Sequence, residues 1–239
     1  MRSVLILTLF VASQAVAARA DYEEVHELSL GTSGIEMLSV DNGAGSIDIR
    51  GESGTDEISV TATVLVPGKN EDKARKKIED DLVLTLERDG DTAVLKGYFR
   101  HGGGFFNFGD SASVRLEIRM PESLHLTVDD GSGSIEIHGV HGNIVLDDGS
   151  GSLTMADVGG NIEIDDGSGS ISVQDVGGDI SINDGSGGIR VRGVAGSVIV
   201  DDGSGSIEVS DVEKDLTIVN DGSGGLDFSN IAGHVEVDT

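Results

Sequence analysis

The chain of 239 residues carries 43 acidic and 16 basic side chains, which gives a formal net charge of −27 at pH 7. This excess of carboxylates argues against nucleic acid and anionic lipid headgroups as partners, because both are negatively charged. The chain has no cysteine for a disulfide or a thiol-bound lipid anchor. With two tyrosines and no tryptophan, it also offers few aromatic platforms for sugars.

The first twenty residues have the composition of a secretory signal. Arg2 precedes an apolar run at 4–17, and small residues occupy the cleavage-type sites Ala15-Val16-Ala17 and Ala18-Arg19-Ala20. The run is too short to cross a bilayer, and no second apolar stretch follows it. We therefore predict a signal peptide at 1–20, cleaved near Ala20. The mature protein is then periplasmic or secreted, from a bacterium, with no transmembrane segment.

Residues 21–120 alternate between strand and turn signals and contain one helix signal. Asn70 can cap a short charged helix from Glu71 to about Asp80. The segment Asp41-Asn42-Gly43-Ala44-Gly45 is an imperfect copy of a corner that recurs later in the chain. We predict that this β-rich section joins the sheets of the repeats that follow and caps their first edge. Alternating apolar residues predict its strands at 35–40, 46–50, 58–64, 82–88, 92–99 and 113–119.

A glycine-rich segment at 102–109 links the last two of these strands and contains Phe105, Phe106 and Phe108. We favour the interpretation that these aromatic side chains fold back and close the open end of a β-sheet core. The alternative is an exposed loop that inserts into a pocket of a partner. The three phenylalanines are therefore candidate partner-binding residues.

The rest of the chain is an internal repeat. The tetrapeptide Asp-Gly-Ser-Gly occurs six times at a spacing of 18 residues, with a single spacing of 19. A fixed period of this length indicates structural units that stack on one another. Each unit holds two segments of alternating apolar residues, such as 135–137 and 144–146, joined by corners that contain glycine.

Aligned units place apolar side chains in five columns, which begin at Ile135, Ile137, Val140, Ile144 and Leu146. Apolar residues at each position of these columns, mostly branched aliphatics, predict parallel, in-register strands that face each other across a thin core. The predicted fold is all-β. It is a single-stranded β-solenoid (β-helix or β-roll-like) of about six 18-residue turns at 121–239, preceded by the β-rich section at 21–120 with its one short helix.

The order of motifs resembles the bacterial "putative adhesin" β-strand-repeat family. The shared features are Val40-Asp41-Asn42-Gly43-Ala44-Gly45-Ser46-Ile47, a short helix, Leu116-Glu117-Ile118-Arg119-Met120-Pro121, and serial Asp-Gly-Ser-Gly-Ser-Ile. Members are exported or envelope proteins without an assigned enzymatic activity. The resemblance covers nearly all of the mature chain. It implies a β-solenoid with a non-catalytic envelope role, and it carries over no active-site residues.

Two neighbouring columns of acidic residues accompany the repeated corners, with rungs about 4.8 Å apart. At that spacing two carboxylates repel by roughly 1 kcal/mol even in water, so such a column raises its own pKa values or attracts cations. We favour Asx-turns, in which each second aspartate accepts N–H groups of its own corner. The alternative is Ca²⁺ held between corners by Asp130, Asp148, Asp166, Asp184, Asp202 and Asp221. The adjacent column consists of Asp129, Asp147, Asp165, Asn183, Asp201 and Asn220.

The sequence contains no recognisable catalytic motif. Its six histidines lack the spacing of a helical metal pair, and no serine lies in a nucleophile-elbow motif. Any row of aspartates supplies acid pairs for glycan cleavage, but uniform rows offer no distinct acid and base environments. Glu236 and Asp238 on the last strand disfavour edge pairing, which favours a monomer.

We therefore predict a non-enzymatic, envelope or secreted, adhesin-like binding or scaffold module. Its expected partner is an envelope protein or a glycan, and it needs no cofactor. The first alternative is a Ca²⁺-binding β-roll-like adhesive element that uses the Asp-Gly-Ser-Gly edge. A glycan-processing enzyme with paired carboxylates is the third hypothesis.

Overall fold

The computed structural model describes residues 21–68, 70–100 and 112–238. Across these ranges the chain forms two ten-stranded sheets with a hydrophobic core between them. The elements are β1 (Tyr22–Gly31), β2 (Met37–Asn42), β3 (Ile47–Glu52), β4 (Glu57–Val66), α1 (Glu71–Asp81), β5 (Leu82–Asp89), β6 (Thr92–Phe99), β7 (Ser113–Pro121), β8 (His125–Asp130), β9 (Gly133–His138), β10 (Ile144–Asp148), β11 (Gly151–Val158), β12 (Ile162–Asp166), β13 (Gly169–Val176), β14 (Ile180–Asp184), β15 (Gly187–Val194), β16 (Val198–Asp202), β17 (Gly205–Val212), β18 (Leu216–Asn220), β19 (Gly224–Ile231) and β20 (Val235–Val237).

Each repeat contributes one strand to each sheet, and equivalent strands pair in parallel and in register. Ile144 pairs with Ile162, which in turn pairs with Ile180. The strand order of the first sheet is β1-β4-β7-β3-β9-β11-β13-β15-β17-β19. That of the second sheet is β20-β18-β16-β14-β12-β10-β8-β2-β6-β5. Six turns run from β9 to β20, and the prediction of an all-β solenoid is confirmed.

Within the repeats, the core consists of the five predicted columns, and apolar residues of the preceding section, such as Leu38 and Ile49, continue it. In the first five turns every member of these columns is at most 3% exposed, because the side chains alternate between the core and the solvent along each strand. The sixth turn differs: Phe228 is 41% exposed and Val237 is 37% exposed. Among the described residues no further rung covers this turn, so its apolar side chains have a neighbour on one side only.

The section before residue 121 extends both sheets. Strands β2 and β3 form a rung that pairs in parallel with β8 and β9. Beyond this rung, β4 joins the first sheet and β5 the second, each through an antiparallel pair. Strand β1 was not predicted. It is an edge strand along which most side chains are half-buried, so its sequence lacks a clear alternation.

The predicted helix α1 connects β4 with β5 and hence the two sheets. The Oδ1 atom of Asn70 accepts the N–H of Lys73 at 3.1 Å, and acidic Glu71 and Asp72 occupy the first turn. Both features stabilise a helix N-terminus. No helix in the described ranges has the length and apolar character needed to cross a membrane.

Candidate functional site

The paired aspartates lie where the strands of the second sheet end and the Gly-Ser-Gly corner begins. Strand β10, for example, ends with Asp147 and Asp148. Because side chains alternate, Asp148 points to the same side as Ile144 and Leu146, towards the core. We call the second residues of the pairs the inner column: Asp130, Asp148, Asp166, Asp184 and Asp202. All five are between 0% and 2% exposed.

The inner column forms the Asx-turns that the sequence favours. In four corners the Oδ1 atom of the aspartate accepts the backbone N–H of the serine two residues later. These distances are 3.0 Å to Ser150, 3.1 Å to Ser168, 3.0 Å to Ser186 and 2.9 Å to Ser204. In the first rung, Oδ1 of Asp130 instead accepts Nδ2–H of Asn42 at 3.0 Å. The carboxyl groups therefore fix the corners, turn by turn.

The other oxygen of each inner carboxyl is enclosed. The Oδ2 atoms of all five aspartates are buried and make no hydrogen bond within the part of the chain that the structure describes. Burial raises the pKa of Asp130 to about 7 and those of Asp148 and Asp184 to about 6. Burial also raises the pKa values of Asp166 and Asp202, against the lowering effect of the serine N–H. These groups therefore hold protons more tightly than exposed aspartates do.

The first residues of the pairs form an outer column: Asp129, Asp147, Asp165, Asn183 and Asp201. Four of these side chains are exposed, and that of Asp201 is half-buried. Asn183 donates from Nδ2 to Oδ1 of Asp165 at 3.3 Å. The sequence assigned Asx-turns to the second residues of the pairs but did not predict that the two columns have opposite environments, buried for the inner column and largely exposed for the outer. The signal that distinguishes them was the alternation of side chains along the strand, which continues past Leu146 into the aspartate pair.

The sixth copy of the corner departs from the other five. The repeat there is one residue longer, and the pairing of β16 with β18 shifts register after Val200. Asp221 is consequently only half-buried, and the N–H of Gly222 donates to Oδ1 of Asn220 at 3.0 Å. The inner column therefore ends at Asp202, and Asp221 lies outside it.

Metal binding was the alternative role for these aspartates. In the described part of the chain, no three His, Cys, Asp or Glu side chains come together in a group that could hold a metal ion. The inner carboxyls use one oxygen for an Asx-turn, or in Asp130 for the bond from Asn42, and enclose the other. Calcium binding here stays a prediction. Phe105, Phe106 and Phe108 lie outside the described residues, so their role as a plug or a partner site also stays a prediction.

A ladder of side-chain hydrogen bonds that the sequence analysis did not predict lies on the surface at the opposite corner. There a side chain accepts the backbone N–H of the equivalent residue one turn later. Asn143, Asn161 and Asp179 accept from Asn161, Asp179 and Ser197 at 2.9, 2.9 and 2.8 Å. Asp215 continues the pattern towards His234 at 2.7 Å. The available signal was a polar residue directly before the first apolar residue of each strand of the second sheet.

The match of a family profile agrees with this geometry. Residues 35–238, which include nearly all of both sheets, match the family described as Toastrack DUF4097. The chain belongs to this family. The Toastrack match runs across residue 120, as do both sheets.

Solved structures of several bacterial proteins are similar to this Toastrack chain. One is a "putative cell adhesion protein" from Clostridium sporogenes, with 13% identity and a TM-score of 0.34, over 91% of this chain and 99% of that one. A "putative adhesin" from Bacteroides fragilis has 10% identity and a TM-score of 0.40, over 90% and 97%. A "putative lipid binding protein" from Parabacteroides distasonis has 18% identity and a TM-score of 0.45, over 90% and 97%. Comparison with curated proteins finds no significant match.

Proposed function

We propose that this Toastrack protein is a non-enzymatic binding or scaffold module that works outside the cytoplasm. The observation that carries this proposal is the enclosure of the inner column. A catalytic acid must contact its substrate. The carboxyls with strongly raised pKa values, such as Asp148 and Asp184, are at most 2% exposed and face the core. This placement argues against a glycan-processing enzyme that uses paired carboxylates of the repeat.

The outer faces of the two sheets are the surfaces available for binding. On the first sheet, small hydroxyl side chains recur from rung to rung at Ser134, Ser152, Ser170 and Ser206, all exposed. On the second sheet the exposed row contains Val145, Ser181 and Ile199. Ten strands at a spacing of about 4.8 Å make each face more than 40 Å long. Extended surfaces of stacked repeats suit a large or elongated partner.

Charge narrows the class of partner. Beyond residue 120 the only basic side chains among the described residues are Arg190, Arg192 and Lys214. Each of them already pairs with an acidic residue: Glu208, Asp211 and Asp179, at 2.8, 3.4 and 3.6 Å. The solenoid surface thus repels nucleic acid and anionic lipid. An envelope protein or a neutral glycan fits this surface better.

Export is part of the proposal and rests on the sequence of residues 1–20, which lie outside the described residues. The apolar run after Arg2 and the small residues before Asp21 support a cleaved signal. N-terminal sequencing of the protein purified from its own cells tests this point. A mature N-terminus at or near Asp21 is expected, and an intact Met1 in the cytoplasmic fraction contradicts it.

A comparison of the two sheet faces tests the binding proposal. Labelled protein from Asp21 onward is applied to arrays of glycans and to isolated bacterial envelopes. Ser170→Arg places a bulky charge on the first sheet, and Ser181→Arg is the matched change on the second; both serines are exposed. One variant is expected to lose binding at least about tenfold while the other binds as the wild type. Unchanged binding by both variants, or turnover of a glycan by the wild type, contradicts the proposal.

A further inference from the structure

The inner column is an unusual arrangement, because it stacks five buried carboxyl groups and none of them pairs with a basic side chain among the described residues. Buried ionised carboxylates normally need an opposite charge or several hydrogen-bond donors. Each of these carboxyls has donors for Oδ1 only, and its Oδ2 atom is buried without a partner. The missing partner is supplied most simply by a proton on Oδ2, which makes the group neutral.

Among the described residues, the charged groups that act on the column are acidic. Along the column, Asp148 adjoins Asp130 on β8 and Asp166 on β12. Its own strand contributes Asp147. Asp129, Asp165 and Asp201 lie beside three other rungs, whereas the neutral Asn183 lies beside Asp184. On the side of the corner it meets the N–H of Ser150. The neutral Asn42 adjoins the first rung, and Asp221 interacts with Asp202 at the last.

The first rung shows that side chains of adjacent turns reach hydrogen-bond distance inside the column. Asn42 pairs with Asp130 across β2 and β8, and their side chains are joined at 3.0 Å. The aspartates of later rungs pair in the same register, as Asp148 does with Asp166. An O–H on one carboxyl can therefore reach an oxygen of the carboxyl on the next turn. A neutral carboxyl still accepts the serine N–H through Oδ1, so the Asx-turns survive protonation.

We propose that the inner column is a proton-binding site. Protons on the Oδ2 atoms of Asp130, Asp148, Asp166, Asp184 and Asp202 are shared between neighbouring turns, and the folded solenoid keeps them in solutions where exposed aspartates have lost theirs. The column titrates as a unit, because ionising one carboxyl makes it harder to ionise the next. No metal ion is needed to neutralise it.

Two measurements on the protein from Asp21 onward test this site. The infrared spectrum of the folded protein in D₂O at pH 6 is expected to show the C=O band of protonated carboxyl groups. Unfolding at pH 6 in weakly buffered guanidinium chloride is expected to release about two protons per chain. This number follows from a pKa of about 7 for Asp130 and about 6 for Asp148 and Asp184, against about 3.9 in the unfolded chain.

Matched variants assign both signals to the column. Asp166→Asn keeps an Oδ1 that can accept the N–H of Ser168, and an asparagine, Asn42, is already buried next to Asp130 in the same register. This variant is expected to reduce both signals. Asp165→Asn, on the exposed outer column, is expected to change both far less, because Asp165 acts on Asp166 only through its charge. The absence of the carboxyl band in the folded wild type, or of proton release on its unfolding, overturns the proposal. So does proton release from the folded protein on addition of millimolar Ca²⁺ but not Mg²⁺, which identifies a metal site instead.

Discussion

Replacement of Gly187 by alanine tests how closely the turns stack at the Gly-Ser-Gly corner. Gly187 has a φ of +155°, which side chains of L-residues rarely permit, and a Cβ added there lies 1.6 Å from the carbonyl oxygen of Gly169. An ordinary contact is 3.4 Å or more. The two turns therefore have to separate by more than an ångström, or the corner has to change its backbone conformation.

The expected loss of stability follows from the bonds at this corner. The N–H of Gly187 donates to Ser204 at 2.9 Å, and the N–H of Gly169 donates to Ser186 at 3.0 Å. Weakening two such bonds costs about 0.5–1.5 kcal/mol each. A forced positive φ adds about 1–3 kcal/mol. We expect Gly187→Ala to lower the free energy of unfolding by about 3 kcal/mol or more.

The next residue provides the control. A Cβ added at Gly188 meets only Ser206 Oγ, at 3.6 Å. The equivalent positions of other turns carry serine, as at Ser152 and Ser170. Gly188→Ser is therefore expected to change stability by no more than about 0.5 kcal/mol.

Urea denaturation of both variants, followed by circular dichroism, measures the difference. The slope of the free energy of unfolding against urea concentration is compared as well, because a stack of repeats can unfold in parts and the slope then decreases. A melting temperature lower by at least about 6 °C is expected for Gly187→Ala. The stacking geometry is refuted if the Gly187 variant is as stable as the Gly188 variant.

Three other predictions concern the inner column and the ladder of hydrogen bonds at the opposite corner. Asn161→Ala removes the acceptor for the N–H of Asp179. It is expected to lower the free energy of unfolding, measured by urea denaturation, by about 1 kcal/mol. Asn161→Asp keeps the acceptor, so an equal loss of stability in both variants contradicts this role. The free energy of unfolding is expected to rise from pH 8 to pH 5, because the inner pKa values are raised on folding. That stabilisation is complete below the pKa of the unfolded chain, about 3.9, and is lost as the pH rises through 6–7. Each group with a pKa of about 6 contributes about 1.4 kcal/mol of the change between pH 5 and pH 8. Higher stability at pH 8 than at pH 5 refutes this prediction. The melting temperature is expected to be equal in EDTA, Mg²⁺ and Ca²⁺ at matched ionic strength, whereas a rise that only Ca²⁺ produces restores the calcium hypothesis.

The solenoid was predictable because its sequence signal is repeated six times. One unit such as Ile135 to Leu146 is ambiguous by itself, but a column that stays aliphatic through successive units leaves few other structures. The helix was predictable from Asn70 and the acidic residues after it. Strand β1 was not, because its side chains are half-buried on an edge and carry no regular alternation.

The candidate site was predictable in composition but not in environment. The repetition showed that the aspartates stack. The preference of aspartate for Asx-turns predicted that one carboxyl oxygen accepts a backbone N–H of its own corner. The opposite exposure of Asp165 and Asp166 follows from strand alternation up to the last residue before the corner. The departure of Asp221 depends on where the extra residue of the sixth repeat is accommodated, which spacing alone does not determine.

An inner column made of asparagine separates the structural role of the carboxyls from their charge. Asparagine also supplies the Oδ1 acceptor for the corner, and its Nδ2 can donate to the next rung, as Asn42 does towards Asp130. Such a column carries no titratable group, whereas the aspartate column gains buried negative charge when it loses its protons. Replacing all five inner aspartates is therefore expected to remove most of the pH dependence, giving stability near that of the wild type at pH 5 and higher than the wild type at pH 8. A variant less stable than the wild type at pH 8 contradicts this reasoning, because ionised carboxylates would then contribute more to the core than neutral amides do.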